Sequence, residues 1–437
     1  MQTASCTPLL YLSPKRASMK VFKFGGASVK DAESVKNVAR ILERYSGERL
    51  VVVVSAMGKT TNLLELIAQA WWNGNSNLVD LRKQLEESHL ATTQSLFPSG
   101  HPIETTLHNT LAELDWQLEE APTGDYDKAY DQMVSTGELL ATHILAAYLN
   151  EQKFPCTWLD ARDLIRTDES WREGKVDWTK TTESVKSRIS DQKESLFLTQ
   201  GFLGGTDDNY TTTLGREGSD YTAAILAHCL DATDVLIWKD VPGVLQGDPK
   251  FFPDARILPS LSFQDAIELA FYGASVIHPK TIKPLQNKNI TLWVKSFLDP
   301  DSAGTRISNA TETAHLPCYI FKRNQVLLSI FPRDFSFIVE DRISHIFRVL
   351  SEHKLKVNLM QNSAISFSVC IDRDERRLEA ARKELHETYK TLFNEDVSLY
   401  TIRYYDHEAE KKVIGDRSRL LEQRSRHTLQ VVTTEKA

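Results

Sequence analysis

The sequence predicts an α/β protein, a mostly parallel sheet covered by helices, followed by a smaller C-terminal unit of ferredoxin-like order. Three observations predict it. Short apolar runs of strand length, at 21–24, 50–54, 196–199, 234–238 and 290–294, alternate with stretches of helical periodicity. That alternation gives parallel strands buried on both faces. Glycine-rich turns follow strand-like runs, as at Gly25-Gly26. Beyond residue 319 the order changes to strand, helix, strand, strand, helix, strand.

The elements follow in chain order. Residues 21–24 form a short apolar strand, and 31–45 a helix with Val35, Val38, Ile41 and Leu42 on one face. A buried strand at 50–54 precedes a helix at 62–72, and 76–120 reads as a helix pair, a lid or dimer-contact insertion. Residues 299–316, rich in Ser, Ala, Thr, Asn and Asp, form the linker. After it come a strand at 325–331, a helix at 339–353, strands at 356–360 and 364–371, a helix at 376–393 and a strand at 397–405. Two strand-like pieces, 418–422 and 428–433, follow without a long helix of their own. The expected division is an N-terminal extension 1–18, an α/β domain 19–308, a ferredoxin-like unit 319–405 and a truncated second unit 406–437.

Composition excludes several classes. A chain of 437 residues needs more than one core. A net charge of −7 leaves no electrostatic footprint for nucleic acid. No uninterrupted apolar stretch is long enough to cross a bilayer. Cys6, Cys156, Cys229, Cys318 and Cys370 are scattered without metal-ligand spacing and read as reduced thiols of a cytoplasmic protein. Residues 1–18 carry Lys15 and Arg16 but no acid, are short and poor in Arg for a transit peptide, and read as a disordered tail or an overlong gene start ahead of Met19.

Five segments carry chemistry. Lys23-Phe24-Gly25-Gly26-Ala27-Ser28 joins a strand to a helix. Its glycines let backbone N–H groups approach an oxyanion, a helix N-terminus adds positive potential, and Lys23 supplies a mobile cation for phosphate. A tight β-α turn with a surface lysine has the same pattern. The run 211–222, from Thr211 through Gly215, Arg216, Glu217, Gly218, Ser219 and Asp220, leads a glycine-rich loop into a helix. Arg216 can grip a carboxylate bidentately and Ser219 can cap the helix. Ser55-Ala56-Met57-Gly58-Lys59-Thr60-Thr61-Asn62 ends the second strand, where ligands of open α/β sheets collect. Plain turn chemistry explains it equally. In Ser135-Thr136-Gly137-Glu138, Glu138 holds an ammonium group or compensates a helix dipole. Trp238-Lys239-Asp240-Val241-Pro242-Gly243-Val244, with Gly247 to Lys250, forms a charged loop able to cover a nucleotide or an ordinary surface turn.

Together these segments resemble the aspartate kinases of the amino-acid kinase family over Met19 to about Ser308. The most specific stretches are Lys23 to Ser28, Ser135 to Glu138, Thr199-Gln200-Gly201-Phe202 and Thr211 to Thr222. The C-terminal unit resembles the ACT domain that such kinases carry as an amino-acid sensor. The resemblance implies an amino-acid kinase fold with an ACT-like tail. It implies ATP-dependent phosphorylation of the L-aspartate side chain to 4-phospho-L-aspartate, the first step towards lysine, threonine, methionine and diaminopimelate. Lys23 and Asp220 become the catalytic pair, with Gly25, Gly26 and Ser28 as the phosphate loop. Ser55, Thr61, Glu138, Phe202, Arg216, Glu217, Gly218 and Ser219 become the aspartate site, Arg216 on the α-carboxylate and Glu138 on the α-ammonium. Lys239, Asp240, Leu245, Lys250 and Ser275 line the nucleotide pocket, with Mg²⁺ carried by ATP and no dedicated protein ligand. Asn358, Gln361 and Asn362 stand where the family binds a feedback amino acid, here lysine or threonine, and the ACT region implies a homodimer or higher homo-oligomer.

The chain departs from that pattern where many relatives have lysine in place of Ser275, threonine in place of Lys239 and tyrosine in place of Leu245. Lys239 is therefore expected to replace the cation absent at 275. The tail, with one full ACT-like unit, senses an amino acid or serves only to dimerise. Rival readings are another substrate on the same fold (glutamate, acetylglutamate or a nucleotide) and a catalytically dead amino-acid sensor. The Arg216 and Glu138 pair favours a free α-amino acid, and the presence of Lys23 and Asp220 disfavours the dead sensor.

Overall fold

The computed structural model describes residues 18–274, 277–309, 315–334 and 336–434. Contacts divide the chain into two compact units. One comprises the chain up to Pro242 plus Lys280–Asn309, and the other Gly243–Pro279 plus the chain beyond 309.

In the first unit the strand Met19–Phe24 is flanked by parallel strands Arg49–Val54 and Asp234–Lys239. Leu196–Gln200 and Thr157–Leu159 continue the sheet on one side, and Thr291–Ser296 on the other, all in parallel. Thr305–Ser308 adds an antiparallel strand. Leu50 through Val54 are all buried, as expected of a strand covered on both faces. The helix Ala32–Glu43 buries Val35, Val38, Ile41 and Leu42, and Asp31 caps it by accepting from the Ser34 N–H at 2.8 Å. The helices Leu78–Leu96 and Ile103–Glu119 are a structural layer rather than a lid. Leu85, Leu107, Leu111 and Leu114 belong to the same core cluster as Phe22 and Val52.

Parallel pairing places one end of every central strand along one edge. Gly25 follows Met19–Phe24, Ser55 follows Arg49–Val54, Gly201 and Phe202 follow Leu196–Gln200, and Lys239 closes Asp234–Lys239. That carboxyl edge is where α/β sheets bind ligands.

The second unit holds the strand Cys318–Pro332, helix Glu340–Glu352, strands Val357–Asn362 and Phe367–Asp372, helix Glu375–Thr388 and strand Tyr389–Arg403. The helix expected over 376–393 stops at Thr388. Tyr389, Thr391 and Phe393 alternate in burial and pair with Pro332, Ile330 and Leu328, so period-two burial overrides helix propensity there. The chain beyond 405 forms a helix, His407–Val413, and two strands, Arg419–Arg424 and Thr428–Thr434. Both strands extend the same antiparallel sheet past Tyr389–Arg403.

Residues 243–279, read from sequence as part of the α/β domain, group with this second unit. A buried ion-pair cluster gives the physical reason. Arg403 lies 3.3 Å from Asp265 and 2.6 Å from Glu268, with Arg403 and Asp265 side chains only 8% and 6% exposed. The Tyr404 hydroxyl and the Ser262 hydroxyl also donate to Asp265. Ser262 caps the helix Phe263–Tyr272 by accepting from the Asp265 N–H at 2.9 Å. Breaking a buried pair strands the partner charge. Arg403→Met is therefore expected to destabilise the second unit by about 3–5 kcal/mol, read as a lowered urea midpoint of its unfolding transition. Lys412→Met, which removes a half-exposed pair with Asp254, is expected to cost under about 1 kcal/mol.

Candidate active site

The carboxyl edge of the first unit opens into a cavity of about 580 Å³. It is lined by Lys23, Ser55, Thr61, Glu138, Phe202, Arg216, Glu217, Gly218, Ser219, Asp220 and Lys239, all marked by the sequence, and also by Tyr130, Arg172, Glu173, Thr213 and Gly215.

Its electrostatic centre is Asp220, in the first turn of the helix Gly218–Leu230. Lys23 pairs with one carboxylate oxygen at 2.6 Å and Lys239 approaches the other at 3.7 Å. Burial alone would raise the Asp220 carboxyl, but the two lysines hold it below its ordinary value. Two ammonium groups on one carboxylate leave a net positive charge facing the cavity. Ser219 does not cap this helix. The cap position is Glu217, with no side-chain cap bond, and Ser219 lies within the first turn.

Glu138 presents the opposite charge problem. It sits at the start of the helix Thr136–Glu151, 2% exposed. One oxygen accepts from the Ala56 N–H at 3.2 Å, and the other has no partner among the described residues. Burial pushes its carboxyl up to about 8, against the pull of that hydrogen bond and of Lys23. Arg216 is exposed and forms no salt bridge among the described residues, so its guanidinium is open to a carboxylate.

Backbone geometry supports this constellation. Phe202, Glu217 and Arg172, all lining the cavity, adopt positive φ of 72°, 54° and 64°. Non-glycine residues persist there only when the surroundings hold them. The Phe202 N–H donates to the Thr222 hydroxyl at 2.9 Å, and its carbonyl accepts from Leu214. Asp131, fully buried, accepts from the Arg172 N–H at 2.8 Å and the Thr213 hydroxyl at 2.7 Å. Arg172 also lies over the Tyr130 ring, 4.0 Å from its centroid.

The glycine loop behaves differently from its expected form. Gly26–Val29 is a single 3₁₀ turn, and the long helix starts only at Ala32, so Gly25 and Gly26 do not sit at its N-terminus. The glycines serve close approach instead. A Cβ on Gly26 would stand 2.7 Å from the Ala56 carbonyl, and one on Gly25 would stand 3.3 Å from the Lys23 ammonium. Ser28 is buried, with no partner for its hydroxyl among the described residues.

The other expected residues are not in the lining described for this cavity. Asp240 is exposed at the end of its strand. Leu245, bridged to Ile257, and Lys250 belong to the second unit. Ser275 lies outside the described residues. Asn358 is taken up by an internal network: its carbonyl accepts from Lys322 and its amide donates to Gln325 and Asp372, each at 2.8 Å. Gln361 and Asn362 are exposed on the strand Val357–Asn362. Sequence reasoning missed Arg172 and Asp131. The one signal was Asp131 itself, an acid beside Tyr130, Met133 and Val134, the buried residues of its helix.

Cations gathered on a buried acid at the carboxyl edge of a parallel sheet, beside an acid and an arginine suited to an amino acid, mark a phosphotransferase. The chain belongs to the amino acid kinase family, whose model matches residues 18–296. The lysine-sensitive aspartokinase 3 of Escherichia coli K12 is 32% identical over 357 residues, which cover 80% of this chain and 78% of that protein. Two crystal structures of E. coli aspartokinase III, each 28% identical, cover 95% of this chain and 96% of their own. The complex with lysine and aspartate (T-state) has a TM-score of 0.80, and the complex with aspartate and ADP (R-state) 0.79.

Gly201 shows how tightly the site is set, since an added Cβ would lie 2.4 Å from that of Ser219. Gly201→Ala should displace the start of the helix bearing Asp220. Phosphoryl transfer is expected to fall about 10²-fold while circular dichroism reports a retained fold.

Proposed function

We propose that the chain is an aspartate kinase that transfers the γ-phosphoryl group of ATP to the side-chain carboxylate of L-aspartate, forming 4-phospho-L-aspartate. The observation that carries this reading is the pairing, within one cavity, of a net-positive Lys23–Asp220–Lys239 group with a buried Glu138 whose second oxygen has no hydrogen-bond partner among the described residues. The first suits a polyphosphate and the second an ammonium group. Arg216 would take the α-carboxylate. The likeness to aspartokinases, one of them solved with aspartate and ADP, supports the same substrates.

The chemistry asks little of the protein beyond placement. The attacking carboxylate is already ionised at neutral pH, so no general base is needed. Charge on the transferring oxygens must be neutralised and the two substrates aligned. Lys23 and Lys239 serve the first need, and Asp220 sets the position of both ammonium groups. Mg²⁺, when bound with the nucleotide, supplies further neutralisation on its phosphates. Ser55, Thr61 and Ser219 line the cavity where small hydroxyls can hold a polar substrate. The acyl phosphate formed is the activated entry to the lysine, threonine, methionine and diaminopimelate routes.

The second unit is read as the sensor of a feedback amino acid, lysine or threonine, and as the surface through which the chain forms a homo-oligomer. Its ferredoxin-like order and the likeness to a lysine-sensitive relative support this.

ATP turnover with L-aspartate, trapped as the hydroxamate, is the direct test. Product from aspartate but not glutamate is expected, and no product from folded, ATP-binding protein would overturn the reading. Lys239→Thr is expected to lower turnover about 10²-fold, and Lys280→Ala less than about threefold. Equal, mild losses would refute the role of Lys239.

Glu138 adds a pH signature. A carboxyl raised to about 8 is protonated at neutral pH in the free protein and loses its proton when an ammonium arrives. Aspartate binding at pH 7 should therefore release close to one proton, measured calorimetrically in buffers of different ionisation enthalpy. Affinity should rise about tenfold per pH unit up to about pH 8. Both effects should vanish in Glu138→Gln.

A further inference from the structure

The short strand Thr211–Thr213, whose last residue lines the cavity, pairs with Leu203–Gly205 in a sheet of only those two strands. Thr211 and Thr213 are buried, so the N–H and C=O groups on the strand's other edge need partners. Side chains of the helix Tyr126–Val134 supply them in place of a third strand. Gln132 Oε1 accepts from the Thr211 N–H at 2.9 Å, and Gln132 Nε2 donates to the Thr211 carbonyl at 2.7 Å. Asp131 accepts from the Thr213 N–H at 3.0 Å and from its hydroxyl at 2.7 Å. The Thr213 carbonyl accepts from the Gly174 N–H at 2.9 Å, and Asp131 also holds the Arg172 N–H, so the loop carrying Arg172 is bound into the same clasp.

The clasp joins the two segments that bear the opposite charges of the cavity. On the strand side, Thr213 is followed by Leu214, Gly215 and Arg216. The Leu214 N–H donates to the Phe202 carbonyl at 2.8 Å, and the Gly218 N–H closes onto the Gly215 carbonyl at 2.9 Å. On the helix side, the Ser135 hydroxyl donates to the Gln132 carbonyl at 2.6 Å, and the chain runs directly into the helix Thr136–Glu151, with Glu138 in its first turn. Glu138 and Arg216 thus both hang from Asp131 and Gln132 by short, bonded stretches. Neither Asp131 nor Gln132 is in the lining of the cavity.

We infer that Asp131 and Gln132 are positioning residues that set the spacing between Glu138 and Arg216, and so fit the site to the ammonium and α-carboxylate of one α-amino acid. This rests on the aspartate reading above and adds the part of the protein that measures the substrate. Those two groups sit on a single carbon, so their binding partners serve at one spacing only, and a shift of about 1 Å is worth up to about 10²-fold. The phosphate side is fastened separately, by Lys23 and Lys239 on Asp220. Loss of the clasp should therefore be felt by the amino acid and not by the nucleotide.

The test is steady-state turnover by the full chain, varying aspartate and ATP in turn, in Gln132→Ala, Asp131→Ala and Asp131→Asn. The KM for aspartate is expected to rise at least about tenfold in both alanine variants, while that for ATP stays within about twofold. An asparagine carbonyl can accept from both N–H groups while its amide donates to the Thr213 hydroxyl. Asp131→Asn should therefore bring the aspartate KM back to within about threefold of the unaltered chain. A merely structural role would lower the amount of active protein without separating the two KM values. An unchanged aspartate KM, a parallel rise for both substrates, or no rescue by asparagine would overturn the inference. Gln132 is only half-buried, so its variant decides the matter even should Asp131→Ala fail to fold. Turnover by the unaltered chain tests the aspartate reading on its own, so a chain that uses aspartate but whose variants keep its KM overturns the clasp alone. Amide hydrogen exchange at 211–216 needs no substrate and should quicken in Gln132→Ala. Unchanged exchange there would overturn the clasp whatever the substrate.

Discussion

The Asp220 carboxylate is the point on which the first unit's chemistry rests. It is buried, which an isolated ionised acid resists, and it stays ionised because Lys23 and Lys239 approach its two oxygens from different strands. The pairings thereby fix three elements to one another: the first strand, the strand ending at Lys239, and the helix that begins at Gly218. Without the acid the two ammonium groups would repel across a low-dielectric cleft. Without the lysines the acid would take up a proton, and the helix start would lose its anchor. The same triad that organises the edge also leaves a surplus positive charge, so folding and ligand preference follow from one arrangement.

Around it, stability is given up locally and recovered nearby. Phe202, Glu217 and Arg172 occupy backbone conformations that side chains disfavour. Two of them are restrained by neighbours, Phe202 by Thr222 and Arg172 by the buried Asp131. Gly201 and Gly218 permit the contact between the Phe202 turn and the helix start. A side chain on either would overlap Ser219 or Phe202. The result is a cavity wall whose shape is set by backbone, leaving Glu138, Arg216 and Lys239 to supply charge.

Much of this was legible in the sequence because the relevant residues fall where chain direction changes. Strand runs of valine and leucine flanked by glycine or serine gave the parallel sheet, and with it the edge at which Lys23, Ser55, Phe202 and Lys239 meet. Arg172 was not legible. It comes from a loop of charged residues with no periodicity, and its role arises from Asp131 about forty positions earlier. The contacts that group 243–279 with the second unit were not legible for a related reason, since the Asp265–Arg403 pairing spans 138 positions. The end of the helix at Thr388 was misread because Lys390, Leu392 and Asn394 carry no breaker. Cross-strand pairing with Pro332, Ile330 and Leu328 decided it.

The interlacing of the two units bears on how the chain can be made and divided. The polypeptide passes between them after Pro242, after Pro279 and after Asn309. A nascent chain can complete the parallel strands once Ser296 has emerged, while Asp265 and Glu268 can meet Arg403 only after that residue has been synthesised. Those ion pairs join positions more than a hundred residues apart, the kind of pairing that closes late. For the same reason no single cut separates the units. A fragment ending near residue 309 would carry Asp265 and Glu268 deprived of their arginine, and a fragment beginning there would carry that arginine without its acids.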